Sequence, residues 1–170
     1  RIGLPFPGGR TSTLSVNINA SWLLSYDVQV AANLPSFSYK DSIGSTQYGA
    51  LFKYKTLTNI GYSVGPVSFN LAWRHLPRVR HFSRVTNPAS TTSDTSSYEL
   101  FNLSGRWAIS DTWTVRGGVD NLFDRRPVLV GANWVPTPAG TGVTSAAGTT
   151  DLSNYDIIGR RFFLSFNARF

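Results

Sequence analysis

Asp156-Ile157-Ile158-Gly159-Arg160-Arg161-Phe162-Phe163-Leu164-Ser165-Phe166-Asn167-Ala168-Arg169-Phe170 carries a period of two that decides how the rest of the chain is read. Successive side chains of a strand point to opposite faces, so the alternation predicts one long β-strand over 156–170. Phe162, Leu164, Phe166, Ala168 and Phe170 share one face. Arg161, Ser165, Asn167 and Arg169 share the other, with Phe163 its only apolar member. A soluble sheet packed on a core shows the same pattern. About ten residues of alternation also match a tilted strand crossing a bilayer, and a soluble domain seldom ends on a long strand closed by an aromatic residue.

The same reading extends backwards. From Thr13, Leu14, Val16, Ile18, Ala20, Trp22 and Leu24 alternate with Ser15, Asn17, Asn19 and Ser21. A strand follows over about 52–63, with faces blurred by Lys53, Lys55, Leu57 and Ile60. Val64-Gly65-Pro66 is a tight turn into a strand with Val67, Phe69, Leu71 and Trp73 on one face. Tyr98 to Ile109 groups Phe101, Leu103, Gly105, Trp107 and Ile109. Ser110-Asp111-Thr112 then turns into Trp113–Asp120. Arg1 to Arg10, with two prolines and two adjacent glycines, reads as a turn. Tyr26–Leu51, Pro77–Ser97 and Asp124–Tyr155 read as long connections, the last rich in Gly, Ala, Thr and Ser. About six strands are therefore predicted, joined by alternating long and short links. Transmembrane barrels have that rhythm, with short periplasmic turns and long extracellular loops. Tyr26, Tyr54, Tyr62, Trp73, Trp107, Trp113 and Phe170 stand near predicted strand ends, as interfacial girdles do, although a soluble sandwich buries aromatics as well.

Composition narrows the partners. No apolar run approaches the roughly eighteen residues of a membrane helix, so any crossing is made by strands. With no cysteine, disulfides and thiolate metal sites are excluded. Arg1 to Arg10 offers no apolar stretch for a signal peptide. A net charge of +7 raises nucleic acid as a partner, but the basic residues are scattered and no recognition module is present, so nucleic acid is set aside.

Gly117-Gly118-Val119-Asp120-Asn121-Leu122-Phe123-Asp124-Arg125-Arg126-Pro127 resembles the penultimate-strand motif of TonB-dependent outer-membrane receptors, a strand ending in Asn-Leu-Phe-Asp. Tyr155 to Phe163 is similar to the entry into the last strand of that family. Phe170, with apolar residues at alternate positions before it, looks like the C-terminal signal that outer-membrane barrels present to their assembly machinery. Leu14 to Gln29 and Phe52 to Pro77 look like earlier barrel strands. The resemblance implies an all-β fold, an antiparallel transmembrane β-barrel segment, with residues 1–170 forming the C-terminal part of the barrel and the plug and earlier strands upstream. It implies an outer-membrane location in a Gram-negative bacterium and active uptake of a large nutrient. The implied partners are lipid and lipopolysaccharide, the rest of the receptor, and the inner-membrane TonB complex acting through upstream regions. No cofactor and no enzymatic activity are expected. A passive porin or adhesin barrel, or a soluble β-sandwich binding module, are the alternatives.

Within that reading, Phe162, Leu164, Phe166 and Phe170 serve lipid contact and assembly, and Asn121, Leu122, Phe123 and Asp124 form the family motif. Arg78, Arg80 and Arg84, with Arg74, form either a cationic rim for an anionic ligand or lipopolysaccharide phosphates, or a solvated strand end. Arg160 and Arg161 are rim or lumen contacts on the same alternatives. Trp134 either stacks on a ligand or anchors its loop. Asp120 and Asp124 read as strand-end hydrogen-bond acceptors or as ion-pair partners of Arg125 and Arg126. His75 and His81 are too sparse for a metal site.

Overall fold

Seven strands, one more than the alternation predicts, make a single antiparallel meander. The computed structural model describes residues 2–5, 11–45, 47–130, 134–135, 143–144 and 149–169. Within it lie β1 (Ile2–Pro5), β2 (Thr11–Trp22), β3 (Tyr54–Val64), β4 (Val67–Leu76), β5 (Tyr98–Ala108), β6 (Trp113–Asp120) and β7 (Arg161–Ala168). Consecutive strands of the seven pair with one another, in six pairings. The extra strand is Ile2–Pro5, read from sequence as part of a turn; Ile2 lies opposite Leu14 and Pro5 opposite Thr11. Four residues are too few to show a period, so pairing rather than pattern defines this strand. The last strand also begins later than predicted, at Arg161 instead of Asp156. Gly159 has a left-handed φ of 85°, and the Arg160 N–H donates to Asp124 Oδ1 at 3.0 Å. The chain is therefore still turning where the sequence pattern has already started. Phe170 and the side chain of Trp134 lie outside the described residues.

The register separates two faces. One row across the sheet runs Val16, Ile60, Leu71, Leu103, Val119, Phe162, and the next runs Leu14, Tyr62, Phe69, Gly105, Gly117, Leu164. On the opposite face the rows are Asn17, Asn59, Ala72, Asn102 and Thr13, Ser63, Ser68, Arg106, Arg116, Ser165. Because side chains directly opposite share a face, the alternation within each strand becomes one apolar and one polar surface.

The buried core runs under the full length of neither surface. Ile43, Phe52, Leu76, Val79, Tyr98, Leu100, Val130 and Tyr155 form it, and they gather at the end of the sheet where the long connections enter. Tyr98 and Leu100 are at even positions of β5, on the same side as Asn102 and Arg106, so the core covers the end of the polar face. Ser42–Ser45 builds part of this cap, pairing with Gly49–Leu51 and, in parallel, with Arg80–His81. Tyr155 packs edge-on against both Tyr98 and Phe52. Among the described residues the apolar face has no such cover. Both outer strands of that set, β1 and β7, have one neighbour only, and the sheet stays open.

Phe163, the one apolar residue on the polar side of β7, is explained by its partner. Gly118 stands directly opposite it, and a Cβ on Gly118 would come within 2.5 Å of the Leu103 carbonyl oxygen and 2.6 Å of the Phe163 ring. The ring lies flat where a side chain would otherwise stand. The paired glycines thus serve close packing, as their position inside a strand suggests.

Candidate functional site

The apolar surface is the largest feature that the fold leaves unexplained. Phe162, Leu164 and Phe166 keep 76%, 66% and 67% of their surface exposed, although a soluble sheet would bury that face against a second layer. Val16, Ile18, Trp22, Phe69, Trp107 and Trp113 are exposed beside them. Contiguous apolar surface of this extent marks an interaction site with protein or membrane.

Aromatic residues border the band. At the long-connection end Trp73 stacks on Phe101 with centroids 5.8 Å apart, and Phe101 meets Phe123 edge-on at 5.3 Å. Beside them His75 Nδ1 bonds Glu99 Oε1, the Trp73 indole N–H donates to Glu99 Oε2, and Tyr54 Oη is 3.1 Å from His75 Nε2. The polar groups of this row satisfy one another. At the short-turn end stand Trp107 and Trp113. Of the aromatics singled out in the sequence, Tyr54 and Trp73 meet at one border. Tyr62 sits within the band, while Tyr26 packs on Tyr48 in the first long connection. The His75–Glu99 pair was not anticipated; its only sequence signal is a register that places residue 75 opposite residue 99.

The Asn-Leu-Phe-Asp motif closes β6. Asn121 is buried and adopts a left-handed φ of 53°, as does Asp124 at 52°, a region that short polar side chains tolerate better than most. The Arg125 N–H donates to Asn121 Oδ1 at 2.6 Å, the Asn121 amide donates back to the Arg125 carbonyl at 3.0 Å, and the Asn121 N–H donates to Asn102 Oδ1 at 2.9 Å. Leu122 N–H bonds the Phe101 carbonyl at 2.7 Å. Asp124 then accepts the Arg160 N–H, tying the end of β6 to the entrance of β7. Phe123 turns outward onto Phe101. Asp120 has Arg161 at 3.9 Å, so the nearest cation to it comes from β7 and not from Arg125 or Arg126.

The arginines separate into different roles. Arg78 and Arg84 both reach Asp94, at 3.0 and 3.1 Å, while Arg80 donates to the backbone carbonyls of Lys40 and Asp41. Arg161 bonds Asp156 Oδ1 at 2.9 Å. Arg160 is exposed. Arg74 donates to the Asn154 carbonyl at 2.7 Å, across the mouth of the polar face. Burial pushes the Asp94 carboxyl up, but hydrogen bonds from Arg84, Arg78 and the His81 N–H outweigh it and hold it below the ordinary carboxylate range. A depressed carboxylate stabilises the fold above its unfolded value, near pH 4, and loses that contribution as pH falls through the lower folded value. Acid titration should therefore loosen the 78–95 loop below about pH 4, and Asp94→Asn should remove this part of the pH dependence. Amide exchange at Val79 and His81 measures it.

Among the described residues no three His, Cys, Asp or Glu side chains gather where they could hold a metal ion. Nor, among them, is any helix long and apolar enough to cross a membrane, which leaves strands untouched by the test.

Fold and surfaces together define an all-β, antiparallel, two-faced sheet whose apolar face is bare among the described residues. The chain is 34% identical over 80 residues to the ferrienterobactin receptor of Escherichia coli (strain K12), a match covering 46% of this chain and 10% of that protein. No family model and no solved structure matches it.

Proposed function

We propose that this chain is part of the barrel wall of an outer-membrane active-transport receptor, contributing strands and outer loops for TonB-energised uptake of a large nutrient. The observation that carries the reading is the bare apolar face, set against a polar face whose one covered end holds the buried core of the described residues. Lipid is a solvent that suits such a face. The open sheet edges fit a segment of a larger barrel, since unpaired backbone groups in a bilayer cost several kcal/mol each. The similarity to a bacterial receptor and the resemblance carried by Asn121 to Asp124 both support this reading. On it, residues 1–170 line a barrel whose plug and earlier strands lie elsewhere, Phe162, Leu164, Phe166 and Phe170 contact lipid, and the long connections face the outside of a Gram-negative cell. Lipopolysaccharide meets the upper aromatic border. Arg160 and Trp134 belong to the outer loops. The chain performs no chemistry.

Because the chain has no cysteine, single cysteines report cleanly on environment. A fluorophore placed in turn at positions 162 to 167 should be quenched by lipid-borne quencher at 162, 164 and 166. At 163, 165 and 167 it should respond to water-soluble quencher instead. Quenching by the aqueous reagent at all six positions would sink the membrane reading.

A further inference from the structure

The polar face carries a second feature, at the end opposite the core. A cavity of about 520 Å³ opens there beside the short turn 109–113, and its walls include Arg106, Arg116, Arg169, Asp111, Thr114 and Asn167. Three arginines and one aspartate line it. Arg106 and Arg116 are direct cross-strand partners, and like charges directly opposite destabilise an antiparallel pair. Among the described residues none of the three arginines forms an ion pair. Arg116 lies over the Phe163 ring at 5.8 Å, a contact that orders the guanidinium without neutralising it. The Arg169 N–H donates to the Thr112 carbonyl at 3.0 Å, which holds that arginine's backbone beside the turn.

We propose that this cavity is an oxyanion site taking a ligand with two or more carboxylate or phosphate groups. Planar guanidinium forks match such groups bidentately, and Thr114, Ser165 and Asn167 supply neutral donors around them. A bound dianion relieves the Arg106–Arg116 repulsion, so the sheet itself gains from occupancy. The site stands on the face opposite the apolar band, which separates it from lipid headgroups at that band's border. Two sources present this chemistry, a free diphosphate-like anion and an acidic segment of polypeptide.

The test uses the full chain in detergent micelles at low ionic strength. The probes are pyrophosphate and an acetylated peptide of alternating aspartate and serine, both followed by calorimetric titration. At least one probe should bind saturably, and Arg106→Gln or Arg116→Gln should weaken it tenfold or more. Lys55→Gln, at the other end of the same face, should leave it unchanged. Tighter binding of pyrophosphate identifies the free anion as the source, and tighter binding of the peptide identifies the polypeptide. Without either probe, Arg116→Gln should melt higher than the parent chain, and pyrophosphate or peptide should raise the melting temperature of the parent more than that of Arg116→Gln. Absence of saturable binding by both probes, or equal loss in Lys55→Gln, overturns the site.

Discussion

Val16→Arg is expected to destabilise the assembled protein by about 2–4 kcal/mol, the cost of an arginine on the lipid face of a barrel near the bilayer midplane. Its neighbour Asn17→Arg should change stability by about 0.5 kcal/mol or less. The pair is informative because the two positions differ in little but the face they occupy. Both are exposed in this chain, both lie in β2, and both are paired across to β3, at Ile60 and Asn59. A soluble sheet with a solvated apolar face would treat the two substitutions alike, because neither buries a charge. A bilayer cannot, since only Val16 stands in the row that crosses the middle of the apolar band through Leu71, Leu103 and Phe162. Guanidinium unfolding from lipid vesicles reads the difference, which at 2 kcal/mol is about a thirtyfold shift in the folding equilibrium. Equal midpoints for the two variants would mean that the band is covered by something other than lipid.

The strands that make this comparison possible were legible in the sequence wherever one face is uniformly apolar. In β2, β4, β5, β6 and the body of β7 the period of two marks strands and faces to within a few residues at each end. It fails in β3 for a physical reason. Phe52, where the alternation starts in the sequence, belongs to the core and not to the band. Leu57 falls on the polar face, in the row with Arg74 and Leu100, near the end where the cap covers that face. Ile60 and Tyr62 carry the true phase of the apolar face. The cap itself was illegible. Its strands are two to four residues long, too short for any period, and Ile43, Val79 and Val130 meet only because connections far apart in sequence fold over one sheet end.

The charged loop residues were legible as residues and not as partners. Arg78 and Arg84 read as a rim, and nothing in the Ser/Thr-rich stretch around Asp94 marks it as the carboxylate that both would reach. Pairing of that kind is set by the bend of the loop through the one-turn helix at Ser83–Thr86, whose four residues carry no helical signal. The motif at Asn121 was different again, visible through resemblance before its geometry was known. Its left-handed residues and reciprocal bonds give that sequence a physical reason, one that turns on a single side chain.

Asn121→Ala should cost about 2–5 kcal/mol, a sum of two contributions that other substitutions separate. The first is the pair of bonds with Arg125. Removing the amide leaves the Arg125 N–H and carbonyl without the partners they now have at 2.6 and 3.0 Å, at about 1–3 kcal/mol for the two part-buried bonds together. The second is the backbone, since a left-handed alanine costs about 1–2 kcal/mol. Asn121→Gly abolishes the second contribution and keeps the first, so it should be milder than alanine by about 1 kcal/mol. Asn121→Asp keeps the conformation and the acceptor for the Arg125 N–H. It loses the donor to the Arg125 carbonyl and sets a second carboxylate beside Asp156, whose own carboxyl is held low against its burial by Arg161, the Ile158 N–H and, last, Asn121. Two carboxylates then stand together, so the aspartate variant should regain stability as pH falls and one of the two takes up a proton, whereas the alanine variant should not. Unfolding midpoints of the three variants at pH 7 and pH 5 decide the matter. If alanine and glycine are equally destabilising, backbone strain contributes nothing; if alanine matches the parent, the link from β6 through Asp124 to β7 rests on the Leu122 backbone bond and the Asp124 carboxylate alone.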